Sequence, residues 1–328
     1  MRKILLTVCS IFLFLGCEKN DTSDEYSATE LTGQWVSTTI IEDVPLGHIW
    51  GNGECLYAVG GALGVNINEH LGTILKKTNG EWVVEKADFD ARLVLLGIAG
   101  VSCNEIYAVG RIADGLDSGI LLKFNGLVWE EIRGNINFTK IKVINGIVYI
   151  TTWDGLYKIE SDELVKIYDS NDFIVTDVWG IQSKLFIVGY NLDKDYIMKF
   201  DGTSWSAMLE EDKLQGNYLD HIEGISENEI YATGTGGNVL KYDGASWETL
   251  ISGLLPVGGF KIYESKEFYI ATSRYLTGNK IYKYNIELNE LTTVFEADIP
   301  FYGLWGSIDI GIYALGLNGT IVHNDIIR

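Results

Sequence analysis

Three residues able to hold a cation or carry a proton open the same recurring four-residue string. His48 begins His-Ile-Trp-Gly, Asp177 begins Asp-Val-Trp-Gly and His221 begins His-Ile-Glu-Gly. Imidazole and carboxylate together can ligate a metal. The spacing matches no metal motif, so His48, Asp177 and His221 stand only as candidates and no metal is assigned. Cys55 and Cys103 offer different chemistry. Both stand just before a Tyr-Ala-Val-Gly string, offset by two positions, and in an oxidising compartment they can form a disulfide if the backbone brings them together.

Hydrolytic chemistry is harder to find. No Gly-x-Ser-x-Gly elbow, Ser-His-Asp order or Cys/His metal spacing stands out, and the arginines beyond residue 33 are only Arg92, Arg111, Arg133, Arg274 and Arg328. Carboxylates discriminate nothing in a chain with 45 Asp and Glu against 25 Lys and Arg. The formal net charge of -20 does exclude a class of partner, because a nucleic-acid backbone needs concentrated Lys and Arg to displace its counterions. An anionic membrane surface is disfavoured for the same reason.

Among the aromatic residues Trp153 stands apart. Eight of the nine tryptophans fall at two repeated positions: Trp50, Trp179 and Trp305 at one, and Trp35, Trp82, Trp129, Trp205 and Trp247 at the other. Packing accounts for those. Trp153 sits in Thr-Thr-Trp-Asp-Gly, where sister repeats have a loop, and an exposed indole there can stack on a sugar ring or on a partner's side chain. The corresponding loops read as long at 60–72, 110–119, 189–196 and 272–279. With Trp153 and Asp154, their residues Glu69, His70, Arg111, Tyr190, Arg274 and Tyr275 form the expected ligand-binding set. Packing of Trp153 on a neighbour, and plain solvation of the loops, are the competing readings.

The elements that must position these groups are legible as repeats. Tyr-Ala-Val-Gly at 57–60 and 107–110 returns as Phe-Ile-Val-Gly at 186–189, Tyr-Ala-Thr-Gly at 231–234 and Tyr-Ala-Leu-Gly at 313–316, with weaker copies at 149–152 and 269–272. From Tyr57 to Tyr313 six intervals give a mean of about 43 residues, the period of a four-stranded propeller blade. Asn79-Gly80, Asn125-Gly126, Asp201-Gly202 and Asp243-Gly244 read as tight turns between a third and a fourth strand, since Gly, Asn and Asp tolerate positive φ. The expected order runs outward from the Trp-Gly strand through the Tyr-Ala-Val-Gly and Lys-(Phe/Tyr)-(Asn/Asp) strands to the Trp strand. The last repeat has no fourth strand, while an orphan Gly33-Gln34-Trp35 precedes the first. The sequence therefore predicts an all-β, seven-bladed β-propeller of four antiparallel strands per blade, its last blade closed by residues 33–41. This pattern resembles the propeller repeats of secreted bacterial proteins with Tyr-Ala-Val-Gly and Asp-Gly-x-x-Trp strings, lipoproteins among them. The resemblance covers 33–328 and implies a fold, not an activity.

The N-terminus reads as an address. Arg2 and Lys3 precede an apolar run from Ile4 to Gly16, shorter than the roughly twenty residues needed to span a bilayer. Gly16 before Cys17 resembles the lipobox of bacterial lipoproteins, with Phe14 where that family usually has Leu. The resemblance implies a signal peptide at 1–16, acylation of Cys17, and an acidic tether over 17–32. The expected protein is a monomeric, lipid-anchored module of the outer membrane, facing the periplasm or the surface, that binds a glycan or an envelope or extracellular protein. No cofactor is expected, calcium being the one ion that an acidic loop face would suit. Two alternatives stand beside it: a glycan-cleaving hydrolase or lyase using Glu69, Asp114 or Asp193, and a scaffold within an envelope complex.

Overall fold

The computed structural model describes residues 31, 33–61, 72–87, 89, 93–112, 119–134, 136–212, 218–274 and 277–326. Cys17 lies outside them, as do Glu69, His70, Asp114 and Tyr275. Among the described residues no helix is long and apolar enough to cross a membrane.

Among the described residues the strands form seven four-stranded antiparallel sheets. The innermost strands are Leu46–Gly51, Leu93–Ser102, Phe138–Ile144, Ile174–Ile181, Leu219–Ser226, Val257–Tyr263 and Phe301–Ser307. Each packs on its two neighbours, and the seventh meets the first, so the sheets stand face to face as the blades of a propeller. Blade three (Phe138–Asp169) and blade six (Val257–Ala297), the two whose strings are worn, are as complete as the others. The second strands hold the core, because β-branched and aromatic residues alternate there to fill both faces: Tyr57, Val59, Ile106, Val109, Ile187, Ile230 and Tyr313 are all buried.

The repeated tryptophans weld the blades. Trp50 lies so closely over the next blade that a Cβ on Gly100 would come within 2.4 Å of the indole, and Trp179 covers Gly224 at 2.6 Å. At the outer position, Trp82 sits edge-on to Tyr313 of blade seven and Trp129 edge-on to Tyr57 of blade one, both at 6.5 Å between ring centroids. Trp205 reaches back to Tyr168 at 4.6 Å. The Tyr of Glu105-Ile-Tyr107, Glu229-Ile-Tyr231 and Glu267-Phe-Tyr269 donates its hydroxyl to that Glu at 2.7–2.8 Å. Lys123, Lys241 and Lys283 of the third strands lie over the same rings.

The clasp forms as expected. Val36–Thr39 is the outermost strand of blade seven, antiparallel to Thr320–Asp325, with Val36 opposite His323 and Thr39 opposite Thr320. Leu31 bridges Ile326 beyond it. Trp35 packs on Tyr269 and Phe295 of blade six, the same backward reach as the other outer tryptophans.

Two local readings change. Only Asn79-Gly80 is a two-residue turn, with φ of 53° and 86°. The other three Gly turns hold one residue more before Trp, so the side-chain oxygens of Asn125, Asp201 and Asp243 instead accept the amides two and three residues on at 2.8–3.0 Å. The stretch 189–196 is no long loop. Its strands run to Tyr190 and from Lys194, joined by a turn in which Asn191 Oδ1 accepts the amides of Asp193 and Lys194.

Candidate functional site

Every innermost strand carries a register shift just inside its start, at Leu46/His48, Leu95/Gly97, Phe138/Lys140, Val175/Asp177, Leu219/His221, Val257/Gly259 and Phe301/Gly303. A bulge at one level in all seven blades re-aims one residue per blade around the axis. That ring reads His48, Gly97, Lys140, Asp177, His221, Gly259, Gly303. Five of them, His48, Lys140, Asp177, His221 and Gly303, line a central cavity of about 280 Å³ together with Lys142, Glu223, Lys261, Trp50, Phe260, Tyr302 and Trp305. The three residues singled out from the sequence thus line one cavity, from blades one, four and five.

Asp177 and His221 are joined through Lys140, which no motif in the sequence marks. Asp177 is 1% exposed. It accepts Lys142 Nζ at 2.9 and 3.0 Å and Lys140 Nζ at 3.3 Å, and also the amides of Val178 at 2.8 Å and Ile222 at 3.1 Å. Burial alone would raise this carboxyl, but the two ammonium groups hold it down to about 2. Lys140 is in turn spent on the Asp220 carbonyl at 2.8 Å and His221 Nδ1 at 3.3 Å. Glu223 repeats the device one blade on, holding Lys261 at 3.0 and 3.1 Å and the Ile262 amide at 2.9 Å. Innermost strands of neighbouring blades share no ladder, and these carboxylates supply a link between them.

A metal does not suit this arrangement. Two ammonium groups already occupy the one carboxylate, and among the described residues no three His, Cys, Asp or Glu side chains converge as a ligand set. The histidines are instead held neutral. Burial, then Lys140, pushes His48 down to about 3 and His221 well below its ordinary value. An unfolded His binds a proton below about 6.5, whereas the folded one does not until far lower, so stability is lost as pH falls from about 6.5 toward 3. Each such group contributes about 1.4 kcal/mol per pH unit in that window. Urea midpoints should therefore fall steadily below pH 6, with a shallower slope in His48→Asn; identical slopes would reject the assignment.

The predicted ligand residues lie elsewhere. In a four-stranded meander the second-to-third connections and the blade-to-blade connectors share one end, here the loop face; the remaining turns share the other, the turn face. Trp153, Asp154, Tyr190, Arg111 and Arg274 all fall on the loop face but on blades three, four, two and six, and none lines the central cavity. Trp153 is 47% exposed on a two-residue turn, not packed away, and Arg274 is exposed. Asp154 is a brace: its carboxylate accepts Lys166 Nζ at 2.6 Å, Thr152 Oγ1 at 2.7 Å and the Tyr157 hydroxyl at 3.2 Å. Tyr190 packs edge-on to Tyr218 at 4.6 Å.

On the turn face, Cys55 of blade one and Cys103 of blade two stand as a disulfide with Cα atoms 5.9 Å apart. Peptide mapping without reductant is expected to recover the two as one linked species; two alkylatable thiols would reject the bridge.

No family model matches the chain, and no curated protein does. Solved structures share its fold. A structure described as YCF48 bound to D1 peptide superposes with a TM-score of 0.68 at 12% identity, over 89% of this chain and 96% of that one. The WD40 β-propeller domain of Doa1 gives 0.65 at 11%, over 90% and 97%. YCF48 from Cyanidioschyzon merolae gives 0.64 at 11%, over 89% and 98%.

Proposed function

We propose that the chain is a lipid-anchored binding module of the cell envelope that recognises a segment of another protein on its loop face. The observation that carries this reading is Trp153: a half-exposed indole on a turn locked by Asp154, Lys166 and Thr152. Such an aromatic group is already ordered before binding, so little conformational freedom is lost on contact. The peptide-bound propeller of the same fold is consistent with it. The glycan-cleaving alternative draws no support from Asp193, which lies exposed at a turn; Glu69 and Asp114 lie outside the described residues. The anchor on Cys17, the acidic tether and the outer-membrane address belong to this proposal.

Crosslinking pull-down from envelope fractions, run beside a glycan array, tests it. Trp153→Ala should weaken capture of the partner about tenfold or more while leaving the melting curve unchanged. Capture that survives the substitution removes the anchor residue, and specific sugar binding without a protein partner overturns the protein reading. Acylation is read separately, as added mass on the N-terminal peptide that Cys17→Ser abolishes.

A further inference from the structure

We infer that the turn face is a membrane-contact surface, seated on the bilayer that holds the Cys17 anchor, with the loop face directed away from it. This rests on the anchoring reading above and adds the face and the residues. The first observation is where the chain enters. Val36–Thr39 runs antiparallel to Thr320–Asp325, and Leu31 pairs with Ile326, so the polypeptide reaches blade seven at the turn face. The fourteen steps from Cys17 to Leu31 span at most about 50 Å when fully extended. An anchor at Cys17 therefore holds this point of the turn face within about 50 Å of the lipid.

The second observation is a break in the repeat on that same face. Asn125, Asp201 and Asp243 build one turn by the same two side-chain hydrogen bonds. The residues whose amides donate them are Thr203-Ser204 and Ala245-Ser246 in blades four and five, but Leu127-Val128 in blade two. Leu127 is 87% exposed and Val128 56%. Turn geometry does not ask for an apolar side chain there, as the sister turns demonstrate. On the same face, Ile147 of blade three occupies the position that is Glu105, Lys184, Glu229 and Glu267 elsewhere, and it lines one cleft with Val101. Ile308 and Leu288 are exposed on turns of the same face in blades seven and six. Apolar tips beneath an acidic molecule suit a zwitterionic surface, into whose interface they insert, and not an anionic one.

The experiment uses the full chain bound to phosphatidylcholine vesicles through Cys17, by its native acyl groups or by a lipid attached to that thiol chemically. An environment-sensitive fluorophore is placed at Leu127→Cys on the turn face, or at Leu192→Cys, an 88%-exposed tip of the loop face. Quenching by spin-labelled lipid should be about threefold or more stronger at 127 than at 192; equal quenching, or stronger quenching at 192, overturns the inference. With the label at Ile308→Cys, restoring the sister residues by Leu127→Thr with Val128→Ser should reduce quenching. Unchanged quenching there overturns the assigned contact residues. Absence of native acylation would sink the anchoring proposal alone, since the chemically attached lipid still reports which face meets the bilayer.

Discussion

Removing residues 18–41 is expected to lower the melting temperature by more than about 10 °C. The deletion takes away the strand that covers Thr320–Asp325 and leaves an open sheet edge. It also removes Trp35 from between Tyr269 and Phe295. Losing a packed Trp side chain costs about 3–5 kcal/mol, and in a domain of this size each kcal/mol lowers the melting point by about 2–4 °C. Trp35→Ala isolates that part, and it should melt well below Trp153→Ala, whose indole packs on nothing comparable. An unchanged curve in both the deletion and Trp35→Ala would mean that the ring does not depend on its clasp.

Asp177→Ala should cost about 3–5 kcal/mol in urea unfolding, because Lys140 and Lys142 would then be left without the carboxylate they share. The amides of Val178 and Ile222 lose their acceptor in the same step. The loss should shrink markedly when Asp177→Ala is made in a Lys140→Met, Lys142→Met background, since no uncompensated charge then remains. A full cost in that background would show that Asp177 acts through something other than the lysines. This is a large effect from a residue whose sequence context suggested a metal ligand, and it separates the two roles without any metal being added.

The repeats made the architecture readable to the level of strand order. Gly-x-Trp, Tyr-Ala-Val-Gly and the Asn/Asp-Gly turns each reflect a local demand: an indole over a glycine, a doubly packed second strand, a positive φ. The orphan Gln34-Trp35 was informative because a propeller must close, and only one blade lacked a strand. The Glu-x-Tyr pairs with a third-strand Lys were equally visible, at 105, 229 and 267, but their meaning lies in cross-strand contacts. Loop lengths were read less well. The Gly-Tyr-Asn-Leu-Asp stretch from 189 looked like a loop because of its polar residues, yet Asn191 turns it in three residues and Asp195 is buried, accepting the Leu219 amide.

The candidate site divides along the same line. Sequence alone determined the fold, the clasp, and the singularity of Trp153, because each follows from comparing one repeat with its sisters. Only the tertiary structure showed what His48, Asp177 and His221 stand beside. Residues of blades one, three, four and five converge only when the ring closes and seven bulges turn one position of each blade toward a common axis. Interaction energy between charges depends on their separation in space and on how far water is excluded, and neither is written in the spacing along a chain.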